Sequence, residues 1–313
     1  MITRRANEIH AVMLNLGENM WCDWPLDTSA DAALGEKAPN RRLRTDESIW
    51  RAAVDRAVER KFNTLLIDVG DGVAYPSHPE LAVDDAWSPD RVRDEVRRLA
   101  ELGVELMPSL NFSAAHDIWL GEYSRMVSSP DYYRVCSDII ADVCEMFGTP
   151  KLFSIGYDEE SPRLQRNQNY CACRQGELWW HDLLWFVSQV ERHGVRAQMA
   201  ADYAWAHKDE YLKRAPRSVL QTNWYYGAEF DPAKMKHPEE LLTYDELEKA
   251  GFDQFPGCSN HAWATNIGDT VRSCRKHIHP DRLKGFQVSI WRYTMPECEK
   301  RHFDAIDQLA AAI

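Results

Sequence analysis

The 313-residue sequence has no stretch that approaches the roughly 18 consecutive apolar residues of a membrane-crossing helix. Its N-terminus, "MITRRANEIHAV", has basic residues with no apolar run behind them, so no signal peptide is visible either. The expectation is a cytoplasmic protein with no membrane partner, although a leader already removed would leave the same residues. Positive charge is also scarce. With 37 Lys and Arg against 49 Asp and Glu, the net charge is −12, and no basic patch offers the clustered cations that nucleic acids require. A Gly-rich phosphate cradle and a dinucleotide fingerprint are both absent, since "IGDTVRSC" and "GDGVAY" are too short and isolated, so no cofactor is expected. A paired Cys-x-x-Cys is missing too. The eight cysteines, at 22, 136, 144, 171, 173, 258, 274 and 298, are scattered along a chain large enough to fold without staples, which predicts reduced, mostly buried thiols. Cys171 and Cys173 with His181 could contribute to a metal site, but without a paired Cys-x-x-Cys no metal is expected.

Aromatics, in contrast, are plentiful, with 12 Trp, 12 Tyr and 10 Phe. Short β-rich runs alternate with helical patterns eight times along the chain. The predicted strands are 9–16, 63–70, 104–111, 151–158, 195–202, 218–225, 252–259 and 285–292, each mostly apolar, as strands buried on both faces should be. The helices between them carry their own start and stop signals. In "SPDRVRDEVRRLAELG", Ser88 can cap, Pro89 suits the first turn, Val92, Val96 and Leu99 share a face, and Gly103 can end the helix. "SPDYYRVCSDIIADVCEMFG" repeats this from Ser129 to Gly148, and "TDESIWRAAVDRAVER" and "CEKRHFDAIDQLAAAI" supply the first and last helices. Eight strand-then-helix units without a linker predict one closed (β/α)8 barrel over residues 1–313, with a doubly wound open sheet as the competing architecture.

Active sites of such barrels form at the C-terminal ends of the strands. Those ends hold Asn15 and Glu18; Asp68 and Asp71; Asn111 and His116; Asp158 and Glu159; Asp202; Asn223, Trp224 and Tyr225; Ser259, Asn260 and His261; and Trp291, Arg292 and Tyr293. Trp21, Trp24, Trp119, Trp205 and Trp263 also lie at or just past these ends. Indole faces beside Asp, Asn and His suit a carbohydrate, whose ring has apolar C–H faces and a polar rim. About half of these tryptophans would be expected to pack loops instead.

The segment "LFSIGYDEES" ends a buried strand on three carboxylates, Asp158, Glu159 and Glu160. Two carboxyl groups break a glycosidic bond: one protonates the leaving oxygen while the second stabilises charge at the anomeric carbon. Crowding raises carboxyl pKa values and keeps an acid protonated near neutral pH. Glu160 alone fits the alternative of an acidic residue welcomed by a helix start.

"LFSIGYDEE" resembles the strand-4 Gly-Gly-Asp-Glu motif of family 20 glycoside hydrolases, the β-N-acetylhexosaminidases, with Tyr157 in place of the second glycine. Residues 71–116 follow that family's rhythm of an aspartate after strand 2, a helix, and a third strand leading to Pro and later His, and "FQVSIWRY" is similar to its last strand. The resemblance implies Glu159 as general acid and Asp158 as the residue that orients the substrate's 2-acetamido group, whose carbonyl is the nucleophile. It also implies an aromatic wall and a tyrosine bonded to that carbonyl, with Trp224, Tyr225, Trp263 and Trp291 as candidates. Departures are equally specific. Glu18 stands where the family has an arginine, Ser109 and Asn111 where it has carboxylates, Tyr293 where it has a glutamate, and His116 is displaced by one residue.

The expected function is therefore an exo-acting glycoside hydrolase of a terminal hexosaminide or related hexoside. Asp158 and Glu159 would be catalytic, and Asn15, Glu18, Asp68, Asp71, Asn111, His116, Asp202, Asn223, Trp224, Tyr225, Trp263, Trp291 and Arg292 would bind the sugar. The alternatives are a hydrolase of another hexoside using Asp68, Asp71 or Asp202 as second carboxylate, a metal-dependent sugar isomerase or epimerase, and a non-catalytic sugar-binding barrel.

Overall fold

The computed structural model describes residues 8–17, 41–166 and 168–313. Eight parallel strands run β1 (Ile9–Asn15), β2 (Thr64–Asp68), β3 (Glu105–Ser109), β4 (Leu152–Ser154), β5 (Arg196–Ala200), β6 (Leu220–Thr222), β7 (Gly257–Cys258) and β8 (Gly285–Ser289). Every predicted strand is present, each within its predicted span. Between them lie α1 (Glu47–Glu59), α2 (Pro89–Glu101), α3 (Pro130–Met146), α4 (Gly176–Glu191), α5 (Tyr203–Arg214), α6 (Glu239–Lys249) and α7 (Asn266–His277), with α8 (Glu299–Ala312) after β8.

The start signals read from the sequence operate as expected. Ser88 accepts from the Arg91 N–H and Ser129 from the Tyr132 N–H, each followed by proline in the first helical turn. Each amphipathic helix lays its apolar stripe on the sheet, and α1 buries Ile49, Trp50, Ala53, Val54 and Ala57.

Strand order is β6-β5-β4-β3-β2-β1-β8-β7. Pairing is thickest around β1, where five residues match β2 and five match β8. It is thinnest at two seams. One aligned pair, Ser109 with Ser154, joins β3 to β4. The circle closes between β6 and β7 through single bridges, Gln221 with Gln254 and Trp224 with Gly257, held by bonds such as Gly257 N–H to Asn223 O at 2.9 Å.

Alternation along the strands sorts the barrel interior into layers. Ala11, Leu220 and Phe255 pack together at the N-terminal end, and Met13, Leu66 and Met107 form the next layer. Toward the C-terminal ends the inward positions become polar or small: Asn15, Asp68, Ser109, Ser154, Gln198, Thr222 and Ser289. Side chains that small cannot fill the barrel, so a cavity opens above the methionine layer.

Candidate active site

β4 stops at Ser154, and the next residues leave the pleat sharply. Gly156, Tyr157 and Glu159 all have left-handed backbone, with φ of 61°, 71° and 60°. Only glycine fits at 156, because a Cβ there would sit 2.3 Å from the Asn111 side chain. That contact gives Asn111 its task. Its Oδ1 accepts from Ser113 N–H and Tyr157 N–H, each at 3.0 Å, and its Nδ2 donates to Asp158 Oδ1 at 2.7 Å. Tyr157, a bulky residue in a costly conformation, is anchored outward by its hydroxyl on Trp179 O at 3.2 Å. Six non-glycine residues among the described ones have positive φ, and three of them, Tyr157, Glu159 and Trp291, stand at this mouth.

Asp158, Glu159, Asp202 and His116 converge beyond this turn. His116 Nε2 lies 3.1 Å from Glu159 Oε2 and 3.9 Å from Asp158 Oδ2. Asp202 Oδ2 accepts the backbone N–H of Glu159 at 2.9 Å. Burial works against a charged His116, but the Asp158 carboxylate and the bond to Glu159 outweigh it and raise its pKa to about 9. Burial pushes Asp158 up, opposed by His116 and reinforced by Glu159, and burial with the nearby Asp158 pushes Asp202 well up. Asp158 and Asp202 beside this imidazole thus hold their protons to higher pH than isolated carboxyls do.

Glu160 is turned away from this cluster, and no helix begins there. It is buried against Arg174, accepting from that residue's backbone N–H at 2.6 Å and its Nε at 2.9 Å. The expected helix-start role is therefore corrected: α4 begins only at Gly176, and Glu160 anchors the intervening loop.

The cavity has a volume of about 320 Å3. Of the residues predicted for the site, Asn15, Asp68, Asn111, Asp158, Glu159, Trp224, Trp291 and Arg292 line it. His116 and Asp202 reach it through Glu159. The remaining candidates lie elsewhere. Asn223 faces the helices, accepting from Trp205 Nε1 at 2.9 Å and donating to Glu240 O at 2.8 Å. Tyr225 is buried against Phe230, away from the cavity. Asp71 is buried in the loop after β2, and Trp263 is 55% exposed at the surface. Glu18, Trp21 and Trp24 lie outside the described residues.

Tyr226 was missed. It lines the cavity, stacking on Trp224 at 5.0 Å between ring centroids and lying 6.4 Å from Trp291. The signal was available, because period-two alternation that carries Thr222 and Trp224 inward carries residue 226 with them and turns 225 outward. Trp205 supports the wall from behind, edge-on to Trp224 at 4.6 Å, whereas Trp119 is a packing residue bonded to Asn111 O.

Ligand atoms of His116, Asp158 and Glu159 lie within 4.8 Å of one another, close enough to hold a divalent ion. Cys171, Cys173 and His181 form no such group among the described residues. Cys173 Sγ instead donates to Glu160 O at 3.3 Å, and His181 pairs with Asp182.

No protein-family model matches the chain, and no curated protein matches it by sequence. Solved structures do match. A β-N-acetylhexosaminidase from Bacteroides fragilis aligns over 97% of this chain and 65% of its own, with a TM-score of 0.63 and 13% identity. The N-acetyl-β-hexosaminidase of Streptomyces plicatus aligns over 98% and 64%, with a TM-score of 0.64 and 12% identity. The Flavobacterium johnsoniae chitobiase, a family 20 structure, aligns over 92% and 48%, with a TM-score of 0.60 and 16% identity. The chain spans about two thirds or less of the length of these three proteins. In fold, then, the chain is a (β/α)8 barrel similar to those of these hexosaminidase and chitobiase structures.

Proposed function

We propose that the protein is a glycoside hydrolase that removes a terminal hexosaminide or related hexoside, with Glu159 as general acid and Asp158 as its partner. One observation carries this reading: the Asp-Glu step of β4 opens into a cavity walled by Trp224, Tyr226 and Trp291, inside a barrel similar in fold to hexosaminidases. A pocket set into the barrel mouth suits the end of a glycan, which supports exo action.

Glu159 is the most exposed carboxyl of the pair, its side chain 28% accessible against 16% for Asp158. It gives its proton to the glycosidic oxygen as the bond to the anomeric carbon breaks. His116, bonded to the same carboxyl, stabilises the carboxylate left behind. Asp158, fixed by Asn111, orients the 2-acetamido group so that its carbonyl oxygen attacks the anomeric carbon, and Tyr226 supplies a hydroxyl beside it. Water then attacks that carbon, giving its proton to Glu159. The aromatic wall holds the sugar face throughout.

The triad's donor set favours a second reading, a metal-dependent isomerase or epimerase. The two separate in one screen. Purified protein tested on a panel of nitrophenyl and natural glycosides, with and without chelator, should cleave at least one N-acetylhexosaminide or related hexoside, insensitive to chelation. Glu159→Gln should lower turnover on natural glycosides by about a hundredfold or more, and less on activated leaving groups, while Asp158→Asn impairs both. Near-normal turnover of Glu159→Gln on every substrate would overturn the assignment.

A further inference from the structure

Asp202 departs from the usual habit of its position. It stands at the N-cap of α5, where an aspartate ordinarily accepts N–H bonds from the first helical turn, yet its side chain makes no capping bond. Its own backbone explains this. With φ −66° and ψ −20° it is already helical, and the turn's N–H groups are satisfied by carbonyls instead: Ala204 N–H on Ala201 O at 3.0 Å, and Trp205 N–H on Asp202 O at 2.9 Å. The carboxylate is turned across to the next strand end, where Oδ2 accepts the Glu159 N–H at 2.9 Å, and its other oxygen is buried with no hydrogen-bond partner. A buried acidic group with one bond, no capping role and one orphaned oxygen is costly to keep, and such violations of local preference concentrate where geometry is being imposed.

The recipient of that bond is the residue that needs holding. Glu159 has φ 60°, a conformation that a non-glycine residue occupies only at a cost and keeps only when its surroundings enforce it. In an ordinary extended conformation its side chain would leave the cavity wall and His116. We propose that Asp202 is a positioning residue, whose carboxylate holds the backbone of Glu159 in the left-handed region and so aims the Glu159 carboxyl into the cavity. The inference rests on Glu159 being the acid, and it adds a residue that touches neither substrate nor reacting atoms.

Two variants and two readouts test it. Asp202→Ala removes the acceptor, whereas Asp202→Asn keeps a carbonyl oxygen in the same place. On a substrate the wild type cleaves, Asp202→Ala should lower kcat by about a hundredfold with KM changed by only a few-fold, and Asp202→Asn should recover most of that loss. Equal loss in both variants, or no loss in Asp202→Ala, overturns the proposal. Amide hydrogen exchange at Glu159 decides independently of turnover, and so stands even if no glycoside is cleaved. Exchange should quicken in Asp202→Ala and not in Asp202→Asn, with the folded state verified by circular dichroism. Protection of that amide unchanged in Asp202→Ala means that the bond holds nothing.

Discussion

Adjacent residues of one acidic triplet end in two opposite electrostatic settings. Glu160 lies in a saturated network: Arg174 binds it through backbone and guanidinium, the same guanidinium reaches Asp182 Oδ2 at 3.2 Å, and Asp182 also accepts from Ser128 at 2.6 Å and from the Tyr133 hydroxyl. Asp158 and Asp202 lie in a sparser one. There Asp158 stands 3.9 Å from the His116 imidazole with no guanidinium bonded to it among the described residues, and Asp202 keeps an oxygen without a partner. Buried charge that is fully matched serves to fix a loop. Buried charge that is under-matched holds protons, and protons are what acid catalysis spends.

The contrast breaks most clearly through Arg174. Arg174→Met leaves Glu160 and Asp182 buried without their cation and should destabilise the fold by about 3–5 kcal/mol in urea unfolding. Glu159→Gln should change the same midpoint by less than about 1 kcal/mol while removing turnover. If Arg174→Met unfolds like the wild type, the two networks are not different in kind.

His116 gives the next largest effect. Its pKa is raised from 6.5 to about 9, so its contribution to stability is complete below about pH 6.5 and is lost as pH rises through about 9. Thermal melts of wild type and His116→Gln should therefore differ most at pH 6 and converge toward pH 9 or above. A constant gap across that range would show that the imidazole is neutral.

Most of the fold was legible because a parallel barrel repeats one strong signal, an apolar run followed by an amphipathic helix. Strand ends were less legible. β4 and β7 were expected over eight residues each but pair over three and two, because apolar composition continues past the point where the backbone turns left-handed or the ladder thins. The Asp158–Glu159 step was readable from residue type and position. The Glu160–Arg174 pair was not, since a loop of irregular backbone joins them and no periodicity predicts its path. Tyr226 lies one residue past the expected end of the sixth strand at 225, although period-two alternation carries it inward with Trp224.

The smallest effects lie in the aromatic wall. Trp291→Ala should weaken monosaccharide binding by about 1–3 kcal/mol, and Trp224→Ala similarly. Trp263→Ala, at the exposed surface, should change it by less than about 0.5 kcal/mol. Isothermal titration with a non-hydrolysed sugar compares them directly, and an equal loss in all three would return Trp263 to the site.

The two thin seams of the barrel have a consequence in time. Strands β4, β5 and β6, which end in Glu159, Asp202 and Trp224, form an arc bounded by a single aligned pair on one side and isolated bridges on the other. The opposite arc, β8 through β3, is laced continuously. Opening free energies follow such lacing, so amide hydrogen exchange is expected to be faster along β4–β6 than along β8–β3. A sugar gripped between Trp224 on one arc and Trp291 on the other would bridge the β6–β7 seam from inside, slowing that exchange for as long as it stays bound.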